Sequence, residues 1–234
     1  MTTFGEISFD CPICGEPVTG MEIHSTNQMD RDTDFCPVTV GFHAVPLEVL
    51  ACRNCGYAGT SVEFRDKDFA PDQRARFVSA RICDGLIPLE ARLHALSPDH
   101  MYYLAFLTAA HFGAPAAELG DSLLRASWCV RLPGGRPGDD VAASRYRREA
   151  VREFLRALET PGLEPGGRRS YTYLVAELLR REGDFENAAP HFERFLADPP
   201  EEPEWARAAK TLLDLCRSGD SGNRTFRELL GETG

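Results

Sequence analysis

Lysine is nearly missing from this chain. Among 26 basic residues only Lys67 and Lys210 are lysines; the rest are arginines, a habit of codon usage rather than of chemistry. Basic charge is short overall as well, since 26 Lys and Arg stand against 36 Asp and Glu, for a net charge of −10. Non-specific nucleic-acid binding depends on neutralising phosphates, so this balance counts against nucleic acid as a partner. Long apolar runs are also missing. The uncharged run over residues 101–117, preceded by His100, contains His111, Gly113 and Pro115 and falls short of the roughly 20 apolar residues that cross a bilayer. The opening "MTTFGEISFD" has neither the basic start nor the apolar core of a secretory signal. The expectation is a cytoplasmic protein with no membrane association.

Cysteine, by contrast, is plentiful: eight are present. In a cytoplasmic protein that number points to metal ligation or buried thiols rather than to disulfides. "CPICGEPV" at 11–18 is echoed by "CRNCGYAG" at 52–59. A single C-x-x-C turn supplies one edge of the tetrahedron that a zinc ion requires, so two such turns complete it. The glycine after each second cysteine, Gly15 and Gly56, permits a positive φ that lets backbone N–H groups face the sulfurs. Cys11, Cys14, Cys52 and Cys55 are therefore the expected metal ligands, and the two-knuckle pattern looks like a zinc ribbon. Zinc in a structural role is the leading assignment. Iron in the same four-cysteine shell stays open, because its spacing is similar. A redox C-x-x-C usually occurs once, at the start of a helix, and does not suit this context.

Between the knuckles, "DRDTDF" (30–35) gathers three carboxylates around Arg31. A solvated acidic loop is the plainer reading; Arg31, Asp32 and Asp34 are kept as a candidate interaction loop. Cys36, His24 and His43 match no metal spacing and read as a buried thiol and two partly exposed histidines. Cys83, Cys129 and Cys216 fall on apolar helix faces, where free cysteine is commonly core. Residues 1–70 carry eleven acidic against four basic side chains, so the knuckle region is the acidic part of the molecule.

Short strands and turns are expected up to about residue 66. "PLEVLA" reads as a strand into the second knuckle and "TSVEF" as the segment that leads out of it. Helical texture follows from "APDQRARFVSARICDG" onward. Ser97-Pro98-Asp99 opens a helix that stops at Gly113, and Pro115 opens the next. "PGGRPGDD" (133–140) is the most linker-like stretch. Further helices are expected at 140–159, 168–182, 184–197 and 204–217, with Asn223 capping a short last turn and a frayed "GETG" at the end. The expected fold class is α+β, predominantly α: a small β zinc ribbon (1–66) followed by a tetratricopeptide-like antiparallel helical array (67–234). The repeat reading rests on "SYTYLVAELLRREGDFENAAPHFERFLADPP" (170–200), where Gly183-Asp184-Phe185 makes the turn. Ala176 and Ala188 take the close-contact positions, Phe192 the large one, and Pro199 ends the unit. Tyr171, Tyr173, Phe185 and Phe192 are read as packing. Residues 100–131 carry a weaker version of the same pattern.

Two other motifs come to little. "SGDSGN" (218–223) has the letters of a serine-protease site but stands in a polar tail, and "EPGGRRS" (164–170) suits a loop between helices better than an anion cradle.

Taken in order, the first knuckle, the acidic "DRDTDF", the strand into "CRNCGYAG" and "YLVAELLRREGDFENAAPHFERFL" resemble the bacterial family known as domain of unknown function 2225. That resemblance implies a zinc ribbon joined to tetratricopeptide-like helices, and it implies no activity. The functional expectation is a non-enzymatic cytoplasmic zinc-binding adaptor or scaffold that holds protein partners through helical repeats. The alternative is a zinc-ribbon factor of the transcription or RNA machinery. No carboxylate pair or Cys–His set is placed to serve as a catalytic site.

Overall fold

Both cysteine knuckles sit at the tips of β-hairpins. In the computed structural model, which describes residues 3–81, 96–132, 140–198 and 201–231, β1 (Thr3–Asp10) pairs antiparallel with β2 (Pro17–Ser25). The last pair of that ladder is Asp10 opposite Pro17, so residues 11–16 are the hairpin turn. In the same way β5 (Val49–Ala51) pairs with β6 (Ala58–Thr60) and closes with Ala51 opposite Ala58 around residues 52–57. A third hairpin, β3 (Gln28–Arg31) with β4 (Pro37–Thr39), lies between them in sequence. Nine helices follow among the described residues: α1 (Ser61–Asp66), α2 (Pro71–Ala80), α3 (Pro98–His111), α4 (Ala116–Arg131), α5 (Asp140–Glu159), α6 (Pro165–Arg181), α7 (Phe185–Ala197), α8 (Pro203–Ser218) and α9 (Phe226–Leu230). The chain is thus α+β and predominantly α, with small two-stranded sheets before a helical array.

Local departures from the expected elements have plain causes. "TSVEF" is mostly helix, because Thr60 and Glu63 form a reciprocal capping box: the Thr60 hydroxyl accepts from Glu63 N–H, and the Glu63 carboxylate accepts from Thr60 N–H. "PLEVLA" is not one strand, since Pro46 lies in a 3₁₀ turn, Val45–Leu47, and the strand starts only at Val49. Thr225, not Asn223, caps the last helix, through a second capping box with Glu228. Proline at the first helical position starts α6 at Pro165, three residues earlier than expected. The expectations for Cys83, for Pro199, for most of the 133–140 linker and for most of the terminal "GETG" fall outside the described residues.

Contacts divide the chain into two units that interleave along the sequence. The knuckle unit comprises residues 1–27, 41–114 and 121–143; the helical unit comprises 28–40, 115–120 and 144–234. In the knuckle unit, Cys11, Ile13, Val18, Leu50, Cys52 and Tyr57 share a core with Phe64, Phe69 and Phe77. Tyr57 meets each of those three phenylalanine rings nearly edge-on, at 5.0, 5.7 and 6.0 Å. Helix α3 covers the second hairpin: its Thr108 hydroxyl accepts from Ala58 N–H, and Tyr102 donates to the carbonyl of Val45. Gly20 on β2 lies so close to Leu50 that a Cβ there would stand 2.0 Å from the leucine Cδ2.

In the helical unit, α6 and α7 form a hairpin about Gly183, whose φ is +77°, and the Asp184 side chain accepts from Asn187 N–H to cap α7. Ala176 and Ala188 are fully buried, so the two helices approach closely, and Phe192 fills the space beside them. Helix α8 closes over this pair with Ala208, Ala209, Leu212 and Leu213.

The acidic loop is not solvated. Asp32, Thr33 and Asp34 are all buried, the last two with no exposed surface. Residues 33–35 are a three-residue hairpin loop in which Asp32 N–H bonds the Cys36 carbonyl and Phe35 N–H bonds the Asp32 carbonyl. Such loops end on a left-handed residue, commonly glycine. Here that residue is Phe35, with φ +72°. Its ring lies parallel to Tyr173 at 5.3 Å and edge-on to Trp205 at 5.4 Å.

Candidate metal centre

Each knuckle is built by the same local pattern. Cys11 N–H bonds the Glu16 carbonyl and Gly15 N–H returns to the Cys11 carbonyl; Cys52 N–H bonds the Tyr57 carbonyl and Gly56 N–H returns to the Cys52 carbonyl. Closing that second bond needs left-handed backbone, and Gly15 (φ +76°) and Gly56 (φ +79°) supply it. The backbone N–H groups of Ile13 and Cys14 then hydrogen-bond the Cys11 sulfur, and those of Asn54 and Cys55 the Cys52 sulfur. Hydrogen bonds of this kind stabilise thiolate and orient it.

The four sulfurs converge. Cys11 and Cys55 Sγ are 3.6 Å apart, as are Cys14 and Cys52 Sγ, and all four lie within 4.8 Å of one another. None of the four is joined in a disulfide. Sulfurs about 2.3 Å from a common tetrahedral centre would be separated by about 3.8 Å, so the set is sized for a metal ion. Cys11 and Cys52 are buried, whereas Cys14 is exposed and Cys55 half-buried. The thiols also perturb one another. Hydrogen bonds from Cys11 and then Cys55 hold the Cys52 sulfur far below the ordinary thiol range. Hydrogen bonds with Cys11 and then Cys52 push Cys55 far above it. The Cys52 thiol therefore gives up its proton readily while Cys11 and Cys55 hold theirs, and a bound cation removes that resistance by deprotonating its ligands outright.

The other sequence-derived candidates lie elsewhere. Cys36 is buried and groups with the helical unit, whereas His24 and His43 group with the knuckle unit. Cys129 and Cys216 are buried, as expected of core thiols. Arg31, Asp32 and Asp34 are engaged within the helical unit. The Arg31 guanidinium lies 4.5 Å from the Trp205 ring centre and 4.8 Å from that of Phe226. Asp32 bridges to Thr225. Asp34 accepts from Arg181 at 2.5 Å, both groups being nearly inaccessible to solvent. Beside them the Thr33 hydroxyl donates to Glu177, which takes two further bonds from Arg180 at 2.8 Å each. Arg180 also donates to the carbonyls of Asp220 and Gly222, so "SGDSGN" anchors a buried guanidinium. Sequence reasoning missed Glu177, Arg180 and Arg181, which look like ordinary charges on a helix. Their spacing, i, i+3 and i+4, was a sign that one face of α6 is polar inside a core.

Two hairpin-borne knuckles that bring four cysteines together, followed by a helical array, define a class: a mainly helical α+β protein with a candidate four-cysteine metal centre. The chain belongs to the family described as uncharacterized protein conserved in bacteria (DUF2225), whose model matches residues 5–218. No curated protein and no solved structure matches it. No helix among the described residues is long and apolar enough to cross a membrane.

Proposed function

We propose that this protein is a cytoplasmic, non-enzymatic adaptor in which Cys11, Cys14, Cys52 and Cys55 hold a structural zinc ion and the tetratricopeptide-like helices hold a protein partner. The observation that carries the reading is the convergence of four sulfurs from two equivalent knuckles. Four thiolates saturate a tetrahedral ion and leave no position for substrate, so the metal's role is to tie two hairpins together. Repeat character is supported by the α6–α7 hairpin, with its left-handed Gly183, its buried Ala176 and Ala188, and Phe192 between the helices.

Two measurements test this function. Metal analysis of purified protein should return about one equivalent of zinc; less than about half an equivalent, without iron, ends the metal reading, and iron in its place ends the zinc assignment. Capture from nuclease-treated lysate with the full chain should return a protein that also binds, one to one, when both components are pure. Recovery of nucleic acid alone when nuclease is omitted, with binding that falls steeply with salt, would replace the adaptor with a nucleic-acid factor.

A further inference from the structure

The segment between the knuckles leaves one unit and is built into the other. Residues up to 27 and from 41 onward belong to the knuckle unit, whereas 28–40 belong to the helical unit. Strand β2 ends at Ser25, with only two residues between it and β3. Within the helical unit the segment supplies parts that the helices lack. Phe35 fills the space among Tyr173, Trp205 and Phe226. Arg31 covers the faces of Trp205 and Phe226. Asp34 neutralises Arg181, and Thr33 satisfies Glu177. Thr33 N–H bonds the Arg224 carbonyl, and Arg227 reaches the Met29 carbonyl, so the segment also fixes the stretch that leads into α9. Removing these residues would expose an aromatic surface and break the buried Asp34–Arg181 ion pair.

We propose that residues 31–36 are a latch that makes the fold of the helical unit conditional on the two knuckle hairpins, from which both ends of the segment emerge. The metal, on the reading above, then governs more than its own hairpins. Its occupancy sets how tightly the latch is held, and through the latch it sets the stability of the α6–α9 face offered to a partner. Coupling of this kind is reciprocal: a lesion on the helical side of the latch must weaken metal binding by the factor with which metal stabilises that side.

The test is hydrogen exchange on the full chain, followed peptide by peptide. Two perturbations are used, a zinc chelator and Gly20→Val. The second wedges β2 against Leu50 without touching a cysteine. Exchange should rise at least about tenfold in 28–40, in α6 and in α8 whenever the hairpins are loosened, or the helical signal should be lost with them if Gly20→Val unfolds outright. Loosened hairpins with α6 and α8 unchanged within about twofold overturn the latch. A chelator that leaves the hairpins themselves unchanged overturns the metal reading instead, and Gly20→Val alone then decides the latch. In the reciprocal arm, Arg181→Gln should weaken zinc binding about tenfold in competition with a chelator. Affinity equal to the unaltered chain, in a variant whose melting point has fallen, overturns the coupling.

Discussion

Asp34 and Phe35 show how much a single position can carry. The Asp34 carboxylate is buried against Arg181, and removing one partner of a buried ion pair strips the other charge of that compensation. Asp34→Ala should therefore cost about 3–5 kcal/mol of stability, read as a fall in the denaturant midpoint; a loss below about 1 kcal/mol would show that water screens the pair. Phe35 is a different case, because its left-handed φ opposes its ring contacts. A left-handed residue with a Cβ costs roughly 1–2 kcal/mol, which glycine avoids. Phe35→Gly and Phe35→Ala both lose the stack on Tyr173, so each should destabilise, with glycine less damaging by about 1 kcal/mol. Equal losses would mean that the hairpin loop has rearranged in both variants.

Helices and hairpins show a second kind of reversal. Gly120 lies inside α4, where helix propensity alone favours alanine by about 1 kcal/mol. A Cβ at Gly120 would stand 2.6 Å from the Phe154 ring of α5, and Phe154 has no room to move because it is fully buried. Gly120→Ala should therefore destabilise by about 1–3 kcal/mol, and a rise in melting temperature would refute the close approach. For α1, Thr60→Ala removes one half of the capping box and should cost about 1 kcal/mol, seen as faster exchange in residues 61–66. That box, Thr-x-x-Glu, stood legibly in the sequence as "TSVE", yet the β-branched residues around it read more easily as strand. The knuckles were legible because everything that defines them is local: two cysteines, a turn and a glycine within five residues. The acidic loop was not, since nothing near it in sequence says that its counter-charge is Arg181 or that its aromatic neighbours are Tyr173, Trp205 and Phe226. A composition rule sends "DRDTDF" to solvent, and only distant partners bring it inside.

Across the full chain, the main lesson is that sequence order and structural units need not coincide. Reading from one end suggested a ribbon up to residue 66 and helices after it, because texture changes there. The contact units interleave, and the helical one draws residues 28–40 from between the knuckles. A fragment of residues 67–234 should accordingly fail to give a stable helical unit: low thermal cooperativity or aggregation is expected where the full chain melts sharply. A sharp melt and full protection of α6 and α8 in that fragment would show that the helices stand without the segment. Binding studies on the protein are best made with the whole chain for the same reason.

One property of the third hairpin concerns time rather than stability. Arg31 and Phe35 leave the ribosome early, yet Phe226, which completes their surroundings, is added roughly 190 residues later. At about 5–20 residues per second, the hairpin waits on the order of 10–40 s for its last partner. The four cysteines are complete by residue 55, a few seconds after the first of them at the same pace. A newborn chain thus carries all four candidate metal ligands and, between the two pairs in sequence, a left-handed Phe35 turn whose aromatic ring is not yet covered. During that interval the nascent protein is most open to premature association, and any codon change that slows translation between residues 60 and 226 lengthens it.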